Sequence, residues 1–281
     1  MEKRKLCVIG WPVEHSKSPL LHNTMLETLG LDYEYLCQPV PPDGLEEFLA
    51  RAPEMGYVGF NATMPFKTQL AHRVDVLDET AKKVDAVNTV CIKDGKLYGY
   101  NTDSPGFVAS LLEEGFSPRG KRVLLLGAGG AARAVAAGLC RAGVSRLTVA
   151  NRTEEKARAL AAMYPDVMST CGVAPEELRT ACAQAGLLVN ATSLGMAGQG
   201  EFDDLDFLEA LPPEAWVVDL IYHPARTRLL RRAEELGHPA RNGLPLLLHQ
   251  AILALEHFTG RTIPPGLVLP RLHRALEAEE N

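Results

Sequence analysis

The amino-acid sequence predicts an α/β protein built from two domains. Its 281 residues exceed the usual length of one domain, roughly 150 residues, almost twofold. Short apolar runs that suit strands buried on both faces alternate with segments of helical periodicity. A glycine-rich turn at 127–132 joins one such run to one such segment. This alternation is typical of parallel sheets covered by helices.

The first hundred residues predict a set of strands and helices of their own. Lys5 to Ile9 is a short strand, and a helix extends from Ser18 and the first-turn proline Pro19 to Gly30. Ser18 is the expected cap of that helix. Further strands are expected at 33–38 and 57–61, with a two-residue hairpin at Asp94-Gly95.

Residues 121 to 242 repeat a strand–helix alternation. Arg122 to Leu126 is a continuous apolar run, and the helical face that begins at Ala132 can end at Gly143. Further strands are expected at 147–150, 186–190 and 216–221, with a helix over 153–163. From Gly243 onward the chain is helical and apolar, with a break at 259–265 and then a short closing helix.

Composition and charge exclude several classes of protein. Hydrophobic residues make up 46% of the chain and the net charge is -6, which excludes a disordered chain. No run approaches the roughly 20 apolar residues that span a bilayer. No basic stripe suits nucleic acid, and the N-terminus lacks the apolar core of a signal peptide. We therefore expect a cytoplasmic protein that binds neither nucleic acid nor membranes.

The cysteines indicate neither disulfides nor a metal. They form no CxxC pair and no zinc-ligand spacing with histidine. The expectation is no metal site and six buried, reduced thiols: Cys7, Cys37, Cys91, Cys140, Cys171 and Cys182.

The glycine-rich turn has the pattern of a dinucleotide site. Gly127 to Ala132 matches GxGxxA, directly after a predicted strand and before a predicted helix. Gly127 permits the tight turn, Gly129 lets the backbone approach a pyrophosphate, and Ala132 allows close helix packing. The segment therefore predicts a Rossmann-type domain; a turn used only for packing is the alternative.

The end of the next strand distinguishes NADP from NAD. An NAD site usually carries a carboxylate there, whereas this strand is followed by Asn151, Arg152 and Thr153. Arg152 can contact a 2′-phosphate, so the sequence predicts NADP(H). Lys156 and Arg158 follow one turn later, and a solvated helix face explains them equally well.

Polar residues cluster at three places in the first half of the chain. Ser16 and Ser18 flank a predicted helix start and can hold a carboxylate, although capping by Ser18 alone would leave Ser16 without a role. Asn61 and Thr63 end a strand just before Lys67.

Lys67 and Asp103 are the candidates for proton transfer. The apolar neighbours Phe66 and Leu70 can partly desolvate Lys67, which favours its neutral form and suits it to proton transfer. Asp103 follows Asn88 in the third cluster, where it can orient the lysine. A surface lysine and a helix-capping Asp103 are the alternatives.

These clusters together resemble the shikimate dehydrogenase family. The motifs run in one order through most of the chain: GWPVEHSKSPLLHN, GFNATMPFK, DAVNTV, GYNTD, GAGGAA, NRT, NATSLGM, DLIYHP and GLPLLLHQA. The resemblance implies the reversible NADP-linked conversion of 3-dehydroshikimate to shikimate. It also implies an N-terminal α/β substrate domain, residues 1–103 completed by 243–281, around a Rossmann NADP domain at 104–242.

The resemblance also implies roles for matching residues. Lys67 is the acid–base residue, paired with Asp103. The substrate contacts are Ser16, Ser18, Asn61, Thr63, Asn88, Asp103, Tyr222 and Gln250. The cofactor contacts are Gly127, Gly129, Gly130, Ala131, Asn151, Arg152, Thr153, Thr192, Ile221 and Gly243. Of these, Thr192, Ile221 and Gly243 are expected near the ribose and nicotinamide.

Other functions remain open from the sequence. A quinate/shikimate or aminoshikimate dehydrogenase is the nearest alternative, and the presence of both Ser16 and Ser18 favours shikimate. A methylene-tetrahydrofolate dehydrogenase has a similar plan but lacks the HSKSP and NTD motifs. An inert NADP- or shikimate-binding regulator is expected to lose Lys67 or Asp103, and both remain. Monomer and homodimer are equally compatible with the sequence.

Overall fold

The computed structural model describes residues 3–280, which form two compact units. Unit 1 comprises the residues up to Gly106 and those from Leu248 onward, and unit 2 comprises Phe107–Leu247. The unit boundaries fall inside two helices, α5 (Asp103–Glu113) and α10 (Leu244–Thr259). No helix of the described chain is long and apolar enough to cross a membrane.

Unit 1 is built on a mixed sheet. Its strands are β1 (Arg4–Gly10), β2 (Tyr33–Pro39), β3 (Tyr57–Ala62), β4 (Val76–Leu77), β5 (Thr89–Lys93) and β6 (Lys96–Tyr100). Its helices are α1 (Ser18–Thr28), α2 (Leu45–Arg51), α3 (Lys67–Ala71), α4 (Glu79–Val84) and α11 (Pro265–Glu280), besides the unit-1 parts of α5 and α10. The strand order is β2-β1-β3-β5-β6-β4. Strands β1, β2 and β3 are parallel, which brings their carboxyl ends to one edge.

Unit 2 is a parallel sheet with a Rossmann strand order. Its strands are β7 (Arg122–Leu126), β8 (Arg146–Ala150), β9 (Met168–Cys171), β10 (Leu187–Asn190), β11 (Trp216–Asp219) and β12 (Ala240–Arg241). The order β12-β11-β10-β7-β8-β9 is the 3-2-1-4-5-6 arrangement of dinucleotide-binding domains. The helices are α6 (Gly130–Arg141), α7 (Glu154–Ala161), α8 (Pro175–Cys182) and α9 (Arg228–Glu235), with a 3-10 helix at Asp206–Ala210. The predicted fold class is thereby confirmed.

The structure confirms the hairpin and corrects three other expectations. Asp94 and Gly95 join β5 to β6 with positive φ angles of 51° and 72°, as a tight hairpin turn requires. Ser18 is not the cap: it is the first residue of α1, and Lys17 takes the cap position without a side-chain hydrogen bond. The closing helix α11 is not short, because its 16 residues equal those of α10. All six thiols are free, but only Cys7, Cys91 and Cys182 are buried. Cys140 and Cys171 are partly exposed, and Cys37, on β2 at the edge of the sheet, is exposed.

Candidate active site

An ion pair between Lys67 and Asp103 is the centre of the polar cluster in unit 1. Lys67 begins α3, directly after the fully buried Phe66. Its Nζ lies 2.6 Å from Oδ2 of Asp103, and the two side chains remain 35% and 21% exposed. The two charged groups are therefore in direct contact yet accessible to a small ligand.

Asp103 does not cap α5, contrary to the capping alternative. The side chain of Asn101 takes that role, because its Oδ1 accepts a hydrogen bond of 3.1 Å from the Ser104 backbone N–H. The Asp103 carboxylate instead accepts from Lys67 on one oxygen and from Asn88 Nδ2, at 2.9 Å, on the other. Both oxygens of Asp103 are thus directed toward the cluster.

Asn88 is a buried residue that orients Asp103. Its amide donates to Thr102 Oγ1 at 2.9 Å as well as to Asp103. Its Oδ1 accepts from the Thr102 backbone N–H at 2.8 Å and from Thr89 Oγ1 at 3.0 Å. Because both amide N–H groups are used inside the chain, Asn88 fixes the carboxylate beside Lys67.

Asn61 continues the same network into the core. Its Oδ1 accepts from the Tyr35 hydroxyl at 2.7 Å, and its amide donates to Asn88 O at 3.1 Å and Thr89 Oγ1 at 2.9 Å. Burial raises the pKa of Tyr35 well above its ordinary value, so the phenol stays a donor. Asn61 has no N–H group left for a ligand and acts on the site through Asn88.

The two serines and Thr63 follow neighbouring strands at one edge of the sheet. Ser16 Oγ accepts from the Ser18 backbone N–H at 3.2 Å, so Ser16 has a structural role as well. The Thr63 backbone N–H donates to Ile9 O at 2.9 Å, where β1 and β3 end together. A Cβ added to Gly10 would overlap the Thr63 side chain, so only glycine permits this approach.

Gln250 lies on α10, where that helix touches the start of α5. A Cβ added to Gly106 would stand 2.9 Å from the Gln250 backbone nitrogen and 3.0 Å from its Cα. Gly106 lies one helical turn beyond Asp103. The absence of a side chain at Gly106 therefore allows α10 to approach α5 near the ion pair.

In unit 2 the glycine-rich loop has the form of an anion cradle. Gly127 has φ of +104°, and a Cβ there would stand 2.9 Å from Ala191 O, so the position requires glycine. At Gly129 and Gly130 an added Cβ would meet no atom of the described chain within 4 Å. Helix α6 begins there without a side-chain cap, with Ala131 exposed in its first turn, so its first N–H groups are available to a pyrophosphate.

The turn after β8 carries an exposed arginine, Arg152. Asn151 Nδ2 donates to Thr153 O at 2.8 Å and shapes the turn. The exposed Arg152 has no hydrogen-bond or ion-pair partner in the part of the chain that the structure describes. Arg158, in contrast, pairs with Glu154 at 2.6 Å on the helix surface. Of these two arginines, Arg152 is therefore the one available to an anionic ligand.

Thr192, Ile221 and Gly243 belong to one connected part of unit 2. Thr192 donates to Asn190 Oδ1 from both its backbone N–H and its hydroxyl. The Gly243 backbone N–H donates to Ile221 O at 3.1 Å. Tyr222 follows Ile221 and is 42% exposed.

Within residues 3–280 no group of His, Cys, Asp or Glu could hold a metal ion.

Comparisons with known proteins now determine the family. Residues 8–90 match the model of the shikimate dehydrogenase substrate binding domain, and residues 110–197 match that of shikimate / quinate 5-dehydrogenase. A shikimate dehydrogenase (NADP(+)) of Rhodospirillum rubrum is 44% identical, over 96% of this chain and 94% of the relative. The chain belongs to the shikimate dehydrogenase family.

Solved structures of this family share the fold of the whole chain. Shikimate 5-dehydrogenase from Thermus thermophilus in complex with NADP(H) and shikimate is 37% identical with a TM-score of 0.84, covering 96% of this chain and 99% of that one. Quinate dehydrogenase from Corynebacterium glutamicum in complex with NAD is 28% identical with a TM-score of 0.88, covering 98% and 99%. Both shikimate- and quinate-directed enzymes therefore use this architecture.

The family models cover most, not all, of the predicted site. The shikimate dehydrogenase substrate binding domain includes the serines, the Asn61–Lys67 segment and Asn88. The second model includes the glycine-rich loop, the Arg152 turn and Thr192. Both matches leave out Asp103, Ile221, Tyr222, Gly243 and Gln250.

Sequence reasoning missed the buried residues that hold the site in place. They are Tyr35, Thr89, Thr102, Gly106, Asn190 and Asp219. One signal was available, since β10 and β11 are apolar runs that each end in a polar residue at the carboxyl edge of the parallel sheet. For Gly106 no such signal exists, because its role depends on a helix far along the chain.

Proposed function

We propose that this protein catalyses the reversible NADPH-dependent reduction of 3-dehydroshikimate to shikimate, with Lys67 and Asp103 as the acid–base pair. The observation that carries the proposal is the accessible Lys67–Asp103 ion pair, held by Asn88, at 2.6 Å. Curated relatives that match almost the whole chain are shikimate dehydrogenases (NADP(+)), which supports this substrate and cofactor.

The substrate is a polyhydroxylated carboxylate, and unit 1 supplies groups for each part of it. Ser16 and Ser18 hold the carboxylate, and Thr63, Gln250 and Asp103 hold ring hydroxyls. Asn61 and Asn88 act mainly by keeping Asp103 in place, since their N–H groups are used within the chain.

Proton transfer is the task of Lys67. NADPH, when bound, supplies the hydride that reduces the carbonyl carbon. The Lys67 ammonium donates its proton to the carbonyl oxygen, which becomes the hydroxyl of shikimate, and solvent returns a proton to the amine. In the reverse direction the neutral amine accepts the hydroxyl proton. Asp103 keeps the ammonium at the reacting oxygen through its 2.6 Å contact.

The cofactor is held by unit 2. Gly127, Gly129 and Gly130, with the N-terminus of α6, receive the pyrophosphate. Arg152 receives the 2′-phosphate, with Asn151 and Thr153 shaping its turn. This turn has no carboxylate that would repel the 2′-phosphate, which favours NADP over NAD.

Quinate oxidation with NAD is the second candidate, because a quinate dehydrogenase has the same fold. Initial rates with shikimate and with quinate, each with NADP and with NAD, test the proposal. We expect kcat/KM to be highest for shikimate with NADP. A higher value for quinate would contradict the proposed substrate. A higher value for NAD would contradict the proposed cofactor.

A further inference from the structure

Asp219 is a fully buried carboxylate at the end of β11. Its Oδ1 accepts hydrogen bonds from Asn190 Nδ2 at 2.9 Å and from the Ile221 backbone N–H at 3.1 Å. Its Oδ2 accepts from Thr227 Oγ1 at 2.6 Å. Burial raises the pKa of Asp219, and these three hydrogen bonds act in the opposite direction.

One arm of this network shapes the turn after β10. Asn190 Oδ1 accepts from the Thr192 backbone N–H at 3.0 Å and from its hydroxyl at 2.7 Å. Thr192 Oγ1 accepts in turn from the Leu194 N–H at 3.1 Å. The turn is therefore folded around the Asn190 side chain, whose orientation is set by Asp219.

A second arm shapes the segment after β11. Ile221 donates to Asp219 through its backbone N–H and accepts from the Gly243 N–H at 3.1 Å. Gly243 is packed so closely that an added Cβ would overlap Leu220 O. Thr192, Ile221 and Gly243, the three residues expected at the ribose and nicotinamide, are thus all connected to one carboxylate.

The turn after β10 also contacts the glycine-rich loop. A Cβ added to Gly127 would stand 2.9 Å from Ala191 O and 3.1 Å from Thr192 Cγ2. A displacement of the turn would therefore reach the start of the pyrophosphate cradle.

Fold stability alone gives no reason for a carboxylate at Asp219. Burying a charged group is costly, and among the described residues no cation lies in contact with this one. An apolar side chain would fill the same space at lower cost, although it could not accept three hydrogen bonds. This position therefore requires a group that accepts several hydrogen bonds, and the purpose of those bonds is to hold the segments after β10 and β11.

We propose that Asp219 is a positioning residue for the nicotinamide and its ribose, acting through Asn190 on Thr192 and directly on Ile221. The inference rests on the proposed NADP-dependent function. Asp219 itself touches no ligand; it fixes the backbone segments that do.

The test compares Asp219→Leu with Asp219→Asn. An asparagine keeps one oxygen for Asn190 and Ile221, while its amide donates to Thr227 Oγ1. We expect Asp219→Leu to raise the Kd for NADPH about tenfold or more, as loss of buried hydrogen bonds predicts. Asp219→Asn should stay within about threefold of the wild type, and the KM for shikimate should stay within about twofold in both variants.

Thr227→Val is the matched control, because it removes the hydrogen bond to Oδ2 of the same carboxylate and leaves both hydrogen bonds to Oδ1, from Asn190 and Ile221, in place. Thr227 also caps α9 through Leu230 N at 3.3 Å, so the control lowers the Tm. We expect it to leave the Kd for NADPH within about twofold. If Asp219→Leu does not fold, Asn190→Ala provides the same readout for the Thr192 arm.

The outcomes distinguish a failure of the positioning role from a failure of the proposed function. Unchanged NADPH binding in Asp219→Leu, or an equal loss of binding in Thr227→Val, would overturn the positioning role while the proposed function stands. A wild-type protein that binds no NADPH, measured by quenching of NADPH fluorescence, would overturn the proposed function itself.

Discussion

Replacement of Gly106 by alanine should separate helix α10 from the start of α5. The new Cβ would stand 2.9 Å from the Gln250 nitrogen, whereas ordinary contacts begin at 3.4 Å, so the backbone of α10 must retreat by about 0.5 Å. Rotation of a side chain cannot relieve this contact, because the nearest atoms include the backbone nitrogen and Cα of Gln250. Overpacking of this kind costs about 1–3 kcal/mol.

The consequence for catalysis should fall on the substrate. A displaced Gln250 would lose the proposed hydrogen bond to a ring hydroxyl, which predicts a rise in the KM for shikimate of about threefold to tenfold. The KM for NADPH should stay unchanged, because the proposed cofactor residues lie in unit 2. Urea unfolding and initial-rate kinetics on the same preparations measure both effects.

Gly266→Ala is the matched control for this substitution. Gly266 lies in the first turn of α11, and an added Cβ there meets nothing within 4 Å. The control should stabilise the protein by up to about 1 kcal/mol and leave both KM values unchanged. A Gly106→Ala protein with wild-type stability and a wild-type KM for shikimate would refute the close-approach argument.

Two further predictions concern the cofactor and acid stability. Arg152→Ala should raise the KM for NADPH at least about tenfold more than that for NADH, because a charged hydrogen bond to phosphate is lost; equal effects would refute the 2′-phosphate role. Burial lowers the pKa of His22 from 6.5 to about 3, and its Nδ1 has no hydrogen-bond partner. Since the unfolded state binds the proton more tightly, His22 destabilises the fold as the pH falls from about 6.5 toward 3, by about 1.4 kcal/mol per unit. His22→Phe keeps a ring against Tyr35, which lies 4.1 Å away, and should remove roughly 3 kcal/mol of the loss between pH 7 and pH 4.5. Parallel pH profiles of unfolding free energy for the two proteins would contradict this assignment.

Local patterns predicted the elements of the fold well. The Asp94-Gly95 turn, the buried strand at 122–126 and the glycine-rich loop each depend on rules that operate over a few residues. The boundaries were less accurate where hydrogen bonds compete. Ser18 was expected to cap α1 but lies inside it, and Asn101 rather than Asp103 bonds to the first turn of α5.

The arrangement of the site depended on contacts that no local pattern contains. Motifs identified Lys67 and Asp103, but their 2.6 Å contact joins residues 36 positions apart. The resemblance assigned Asn61 to the substrate, and the structure shows that both of its N–H groups bond within the protein, to Asn88 and Thr89, which leaves only its amide oxygen for a ligand. Tertiary contacts decide which polar groups form hydrogen bonds within the protein, and these contacts are visible only in the structure.

The proposed function depends above all on Lys67, which is expected to transfer the proton in an NADP-linked reaction of shikimate. Its most direct test is kcat of Lys67→Ala with saturating shikimate and NADP, alongside the KM for shikimate. We expect kcat to fall by about 10²–10⁴-fold while the KM changes little, because the lost interaction belongs to the transition state. Turnover close to that of the wild type would contradict the claim.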